Sequence, residues 1–243
     1  MPSLSRISRN PKSIPRALSP SISSNTTHFP PGYCDFRSHN NAASKDIGVT
    51  IVPALTGADF PSFDWKEYLA VAQGNFSHAA AIALSRDTDR DQCWLFSGES
   101  GSLGISLAVR TVPTAVVIEQ SDFLSGSEGR HNKQIHWNPR VMVVYGLLDD
   151  VPNMFKLKEE KLMTLLARLP PFPPGLAQAW PGIHVPVAMF EYDFDGSSRQ
   201  SFTVSKEIVE WGIDFGTIIL NIDVNWGGPS TALCGFEMYG NNA

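Results

Sequence analysis

Cysteine is scarce in this chain of 243 residues: Cys34, Cys93 and Cys234 are all it has. Thiols scattered so widely exclude a structural zinc cage, which draws its ligands from close pairs. One bridge with a thiol left over fits the count, and so do three free thiols. The six histidines (His28, His39, His78, His131, His136 and His184) show no H-E-x-x-H spacing. His131 and His136 fall on a polar loop and read as surface residues. Basic charge is short as well. The net charge of −5 leaves no basic stripe, which excludes a nucleic-acid surface. No run of 18 apolar residues occurs, so this chain is not expected to span a membrane. A nucleophile elbow is missing too: in Ser97-Gly98-Glu99-Ser100-Gly101, Ser100 is followed directly by glycine, which makes a turn and not G-x-S-x-G. With no nucleophile–base pair and no acid pair legible, the chain reads as non-enzymatic.

What is present divides the chain. Residues 1–50 are rich in Ser, Pro and Asn, carry Arg6, Arg9, Lys12 and Arg16, and have no acid before Asp35. Such a stretch buries too little apolar surface to offset its ordering entropy, so residues 1–60 are expected to form a disordered tail. Prolines at 2, 11, 15 and 20 argue against the amphipathic helix of a transit peptide, and no secretory apolar segment is visible. The folded domain is then 61–243. It opens with a short helix, where Asp64 and Glu67 have capping-box spacing, Trp65, Leu69 and Ala72 share a face, and Gly74 stops the helix.

From Asn75 onward the texture is β, with turns at Gly98, Gly101, Gly126, Gly146, Asp195-Gly196 and Gly227-Gly228. Residues Leu103 to Leu107 alternate, Pro113 marks a break, and Ala115 to Ile118 is a buried strand. One segment differs. Over 154–169, Leu162, Leu165, Leu166 and Leu169 share a helical face, and Pro170, Pro171, Pro173 and Pro174 end the helix. It reads as an insertion of about 151–187 between two strands, its helix covering the β core. Asp193-Phe194-Asp195-Gly196 begins like a calcium loop but has Val204 where the glutamate belongs, so it reads as a hairpin turn. Two sequons, at Asn25 and Asn75, are no more than chance supplies.

A set of segments in fixed order carries a resemblance. Gln92-Cys93-Trp94-Leu95-Phe96, Pro113-Thr114-Ala115-Val116-Val117-Ile118-Glu119, and Asn225-Trp226-Gly227-Gly228-Pro229 with Phe236 and Gly240 behind it resemble the SUN domain of nuclear-envelope proteins. Asn75 to Ile82, Val141 to Gly146, Phe190 to Asp193 and Gln200 to Phe202 continue it over roughly residues 65–240. The resemblance implies an all-β, jelly-roll-like sandwich, with a short N-terminal helix and one inserted amphipathic helix. In it Trp94, Phe96, Leu103, Ile105 and Leu107 fill one core layer. It also implies a bridge from Cys93 to the last strand. The family's second cysteine position falls near Ala232, and Cys234 lies two residues further along on the same face. A Cys93–Cys234 bridge and two buried thiols both fit.

SUN domains bind the C-terminal tail of KASH proteins between the nuclear membranes, as trimers, bridging the two membranes in LINC complexes. The resemblance therefore implies a nuclear-envelope or endoplasmic-reticulum module with a KASH-like protein or peptide partner, in a homotrimer. Departures qualify that. Only Ala83 to Gln92 occupy the interval of the family's peptide-pairing lid, so the lid is read as deleted. What remains matches a cation-binding loop, with Asp87 on the acidic ligand position beside Ser85 and Gln92. A monovalent cation is thus the one cofactor implied. Around the peptide-carboxylate pocket Gln120 replaces His, Trp137 replaces Ser and Cys234 replaces Tyr. Partner contacts are accordingly expected from Gln120, Trp137, Trp226 and Cys234, with KASH affinity reduced. The family's upstream membrane helix and coiled coil have no counterpart in these residues. A second reading is a carbohydrate- or small-ligand-binding sandwich, which exposed Trp137 clustered with Trp180 or Trp226 would favour.

Overall fold

The computed structural model describes residues 41–58, 75–77, 80–85, 92–121, 137–149, 151–157, 159–166, 172–173, 176–177 and 182–243. Eleven strands are described: β1 (Thr50–Ile51), β2 (Gly57–Ala58), β3 (Asn75–Ser77), β4 (Gln92–Ser97), β5 (Gly101–Glu119), β6 (Pro139–Leu148), β7 (Ile183–Glu191), β8 (Arg199–Thr203), β9 (Phe215–Asn225), β10 (Ser230–Leu233) and β11 (Gly235–Asn242). Helices α1 (Val151–Lys156) and α2 (Glu159–Leu166) lie between β6 and β7, and α3 (Lys206–Trp211) precedes β9.

The long strand β5 organises everything else. Its first part, Gly101 to Ser106, pairs with β9 on one side and with β1 and β2 on the other. Its last part pairs with β8 and β11. Between Ser106 and Thr111 the pairing with β9 slips, and Ala108 and Val109 are exposed there. A slip of this kind bends a strand, so β5 passes from one layer to the other. The first layer continues through β9 and β6 to β7, all antiparallel. A second, small sheet has the order β10-β4-β3.

The two halves of β5 face each other across one core. Leu103 and Ile105 from the first half meet Val116 and Ile118 from the second, joined by Phe202, Ile218, Leu220, Ile222, Phe236 and Met238. Trp94, Phe96 and Leu107 enter the same cluster, as the alternating pattern predicts. Each such side chain contributes about 1.5–3 kcal/mol by leaving water. The fold is an all-β, jelly-roll-like sandwich.

Four expectations need correcting. Composition extends the disordered tail to residue 60, yet residues 41–58 are part of the domain. Ala43 and Leu55 are fully buried, Asn41 bridges to Tyr239, and β1 and β2 edge the first layer. Leu55 packs against Val143, Tyr145 and Ile219 on that layer's outer face. Strands of two residues leave no periodicity to read, and composition cannot register a few well-placed apolar groups. Residues 1–40 and the predicted helix at 64–74 lie outside the described residues.

The inserted helix is two short ones. Leu157 interrupts it, buried in the main core, and its N–H still reaches the Asn153 carbonyl at 2.9 Å. Leu162 and Leu165 do face the core; the Leu166 side chain and Leu169 are not described. Pro113 is no break either, because β5 runs through it opposite Gly240. A Cβ on Gly240 would stand 2.2 Å from the Val112 carbonyl oxygen, so the glycine makes room for the irregularity. Finally, Asp193 to Gly196 is a turn, with the Asp195 N–H on the Asp193 carboxylate at 3.1 Å, but not a hairpin. The strands beside it separate, β7 to β6 and β8 to β5.

Candidate functional site

Four elements end close together at one edge of the small sheet. In the β4–β10 ladder Trp94 faces Leu233 and Leu95 faces Ala232. The same antiparallel step sets Cys93 across from Cys234, the first residue past β10. Their sulfurs are bonded, at 1.97 Å, across 141 residues of chain. The family-like position at Ala232 would have faced Leu95, so the two-residue offset in sequence is what brings the cysteines level.

β5 delivers Gln120 and Ser121 to the same place. The Ser121 N–H donates to Cys234 Sγ at 3.3 Å, and Gln120 Oε1 lies 3.0 Å from that sulfur. A bridged sulfur has no proton to give, so the second approach is a contact and not a hydrogen bond from cysteine. Gln120 is 3% exposed, and among the described residues its buried Nε2 has no hydrogen-bond partner. Leaving such a donor unpaired costs about 1–3 kcal/mol. Beside it, Arg199 grips Glu237 with both Nη groups, at 2.7 and 3.0 Å, and Glu119 at 2.7 Å. The hydrogen bonds to Glu237 push the Arg199 pKa up against the opposing effect of burial.

Trp137 closes the group from β6's side. It packs with Cys93, Leu95 and Ala232, its carbonyl accepts from the Ala232 N–H at 2.8 Å, and it is 2% exposed. The sequence suggests an exposed partner contact at Trp137; the apolar wall around the bridge buries it instead. It therefore cannot form the exposed aromatic cluster of the carbohydrate reading. Trp180 lies outside the described residues.

Trp226 stands apart from this group. Its turn is tied by Asn225, whose Nδ2 reaches the Gly228 and Ser230 carbonyls at 3.0 and 2.9 Å and whose Oδ1 accepts from the Gly227 N–H at 2.8 Å. Gly227 takes φ 96°, a value glycine adopts without strain. The half-buried indole lies under the Arg140 guanidinium at 4.6 Å and near Phe194 at 6.1 Å. Arg140 in turn holds Glu191 at 2.7 Å. So Gln120, Trp137 and Cys234 come together and Trp226 does not join them.

Of the expected cation loop, Asp87 lies outside the described residues. Ser85 ends a 3-10 turn, its Oγ donating to the Ala81 carbonyl at 3.2 Å, and Gln92 opens β4 opposite Asn75. Among the described residues no three His, Cys, Asp or Glu side chains are grouped to hold a metal ion. Ser121 and the turn-tying role of Asn225 were missed by sequence reasoning. Asn225 was within reach, because an asparagine opening a Gly-Gly-Pro turn is a standard turn-capping signal.

No protein-family model matches the chain. Among curated proteins it is similar to "SUN domain-containing protein 3" of Bos taurus, 25% identical over 200 residues, which is 82% of this chain and 46% of that protein. The protein of the same name from Homo sapiens is 25% identical over 201 residues, again 82% and 46%. The chain carries a divergent SUN-like domain. It spans about half the length of the curated relatives it matches. Among solved structures the SUN-like domain is similar to the family 32 carbohydrate-binding module of Streptococcus pneumoniae EndoD, with a TM-score of 0.48 and 14% identity over 83% of this chain and 100% of that one. A family 32 module of C. perfringens NanJ, solved with galactose, gives 0.41 and 10% over 82% and 98%. Among the described residues no helix is long and apolar enough to cross a membrane.

Proposed function

We propose that this SUN-like domain is a non-catalytic interaction module of the nuclear envelope or endoplasmic-reticulum membrane system that binds a protein or peptide partner. The observation that carries the reading is the unpaired Gln120 amide, buried beside the Cys93–Cys234 bridge and Trp137. An amide in that state is completed by a ligand group of opposite polarity, and a peptide's terminal carboxylate is the acceptor that suits an N–H donor best. The names of the curated relatives support the module's class. In this reading the domain assembles as a homotrimer, a monovalent cation sits in the loop bearing Asp87 with Ser85 and Gln92, and the KASH-type partner is bound weakly because the lid is lacking.

The test is titration calorimetry of residues 41–243 against a KASH-type C-terminal peptide with a free carboxylate and against its C-terminal amide. Binding that weakens on amidation, and a difference that disappears in Gln120→Leu, supports the reading. Equal affinity for acid and amide, or no heat with either, overturns it.

A further inference from the structure

The strongest unassigned feature lies on the opposite side of the first layer. Phe172, in the proline-rich return of the insertion, stacks face to face on His184, with centroids 3.7 Å apart and planes 5° from parallel. It also meets Tyr145 edge-on at 5.0 Å. Phe172 and Leu176 thereby cover Leu55, Val143, Tyr145 and Ile219 on the outer face of the sheet. His184 is 7% exposed. Among the described residues its buried Nε2 has no hydrogen-bond partner, and its other polar contact is a hydrogen bond with the Gly182 backbone. A neutral imidazole leaves one lone pair unsatisfied here. An imidazolium adds a second N–H and a charge with no acceptor, which is the costlier arrangement.

We propose that His184 and Phe172 form a pH-sensitive clasp: proton uptake by His184 ejects Phe172 and uncovers the outer face of the first layer. Burial holds the His184 pKa below its ordinary 6.5, against the opposing Gly182 hydrogen bond. The closed state thus takes the proton less readily than the open one. Acidification below about pH 6.5 favours opening by about tenfold per pH unit, until the closed-state imidazole titrates in its turn. The Phe172 face offers an imidazolium a cation–π attraction of about 0.5–1 kcal/mol, less than the cost of a buried charge without an acceptor, and the other neighbouring groups add little. Leu147 lies across from His184 on β6. Tyr145 has its pKa pushed up by burial and by Asp223, so it stays neutral. Asp223 on β9 is itself pushed up by burial. On α2, Lys161 lies over the Trp211 ring.

Hydrogen exchange read by mass spectrometry on the full chain at pH 7.5 and 5.5, corrected for intrinsic rates, tests the clasp. Peptides over 172–184 should exchange several-fold faster at pH 5.5, up to about tenfold. His184→Phe keeps a stacking ring and every other titratable group, and should exchange equally at both values. Unchanged exchange in the wild type, or the same acid response in H184F, overturns the proposal. Should H184F not fold, an NMR titration of the His184 imidazole replaces it. Its midpoint should lie below 6.5 and rise toward 6.5 in Phe172→Ala; a midpoint that Phe172 does not move overturns the proposal equally.

Discussion

Leu55 sits directly over Gly104: a Cβ on the glycine would stand 2.3 Å from the Leu55 Cβ and 3.1 Å from the Val52 carbonyl oxygen. The Val52 N–H bonds the Gly104 carbonyl at 2.9 Å, and the Thr56 hydroxyl accepts from the Gly104 N–H at 3.0 Å. Residues 52–56 are thus fastened to a strand that only glycine allows them to approach. Gly104→Ala should push this arm off the sheet and expose Leu55, costing about 2–4 kcal/mol. Removing residues 1–50 takes away Ala42, Ala43, Val49 and half of β1, and should lower the melting temperature by several degrees. Calorimetric melts of both variants check this. An unchanged melting temperature after the truncation would restore residues 41–50 to the tail.

The two tryptophans of the family-like segments should behave differently. Trp94 is 4% exposed and packs on Phe96 with ring centroids 4.5 Å apart, so Trp94→Ala should cost about 3–5 kcal/mol. Trp226 is half-buried beneath Arg140 on a turn that Asn225 already ties, and its replacement by alanine should cost about 1–2 kcal/mol. Urea unfolding compares them. Equal midpoints would mean that the Trp226 ring holds the turn as firmly as Trp94 holds the core.

The sandwich was implied by the family resemblance, and its strands were legible where a segment's own pattern decides its state. Leu103 to Leu107 alternates, Ala115 to Ile118 is apolar throughout, and both lie where such patterns belong. What escaped depends on partners distant in sequence. Leu55 is buried because Val143 and Ile219 come to it, and nothing within residues 41–58 announces that. Pro113 looks like a break in isolation, but a strand tolerates it where its neighbour carries Gly240. The cysteines show the same limit at the site. A family spacing points to Ala232, whereas the ladder that levels Cys93 with Cys234 exists only once β10 has paired with β4. Trp137 reads as a surface aromatic in sequence because its wall, Leu95 and Ala232, comes from two other strands.

Arg110 on β5 ties down the loop that enters β9, the loop on which α1 also rests, and this makes the loop's attachment pH-dependent. Arg110 bonds the Asp214 carboxylate and, at 2.6 Å, Asp149; the Asn153 amide reaches the Asp214 carbonyl at 2.9 Å and Lys156 reaches the Gly212 carbonyl at 2.7 Å. Burial alone would raise the Asp214 pKa, but hydrogen bonds from Arg110 and Asn153 outweigh it and hold the carboxyl below its usual 3.8. A depressed folded pKa means stability that is present above the unfolded value and is lost as the pH falls through the folded one. Arg110→Ala should therefore cost about 2 kcal/mol near pH 7, and the gap to wild type should begin to narrow below about pH 4 and close as the pH falls through the depressed wild-type value. Urea midpoints measured from pH 7 to pH 3 check this; a gap that does not narrow in acid would place the Arg110 contribution in packing.

In the proposed reading, partner affinity follows from the lid that the family resemblance implies is lacking. Strand addition binds a peptide through main-chain hydrogen bonds along an exposed edge, and the family's lid supplies that edge. Each such bond is worth about 1 kcal/mol net, so a missing strand removes several kcal/mol. The same reading gives the pocket weaker anchoring as well. Trp137 is buried in the wall and Cys234 is spent in the bridge, which leaves the neutral Gln120 amide where a charge-assisted contact would be stronger. Residues 41–243, a span that keeps the N-terminal arm on the fold, should bind a generic KASH C-terminal peptide at least about a hundredfold more weakly than a lid-bearing SUN domain, a difference of about 2.7 kcal/mol. Calorimetric titration of the two domains side by side gives the ratio. Comparable affinities would mean that another element supplies the pairing edge or the contact area, and the α1–α2 insertion, with Met154 and Met163 exposed on it, would be the first to truncate.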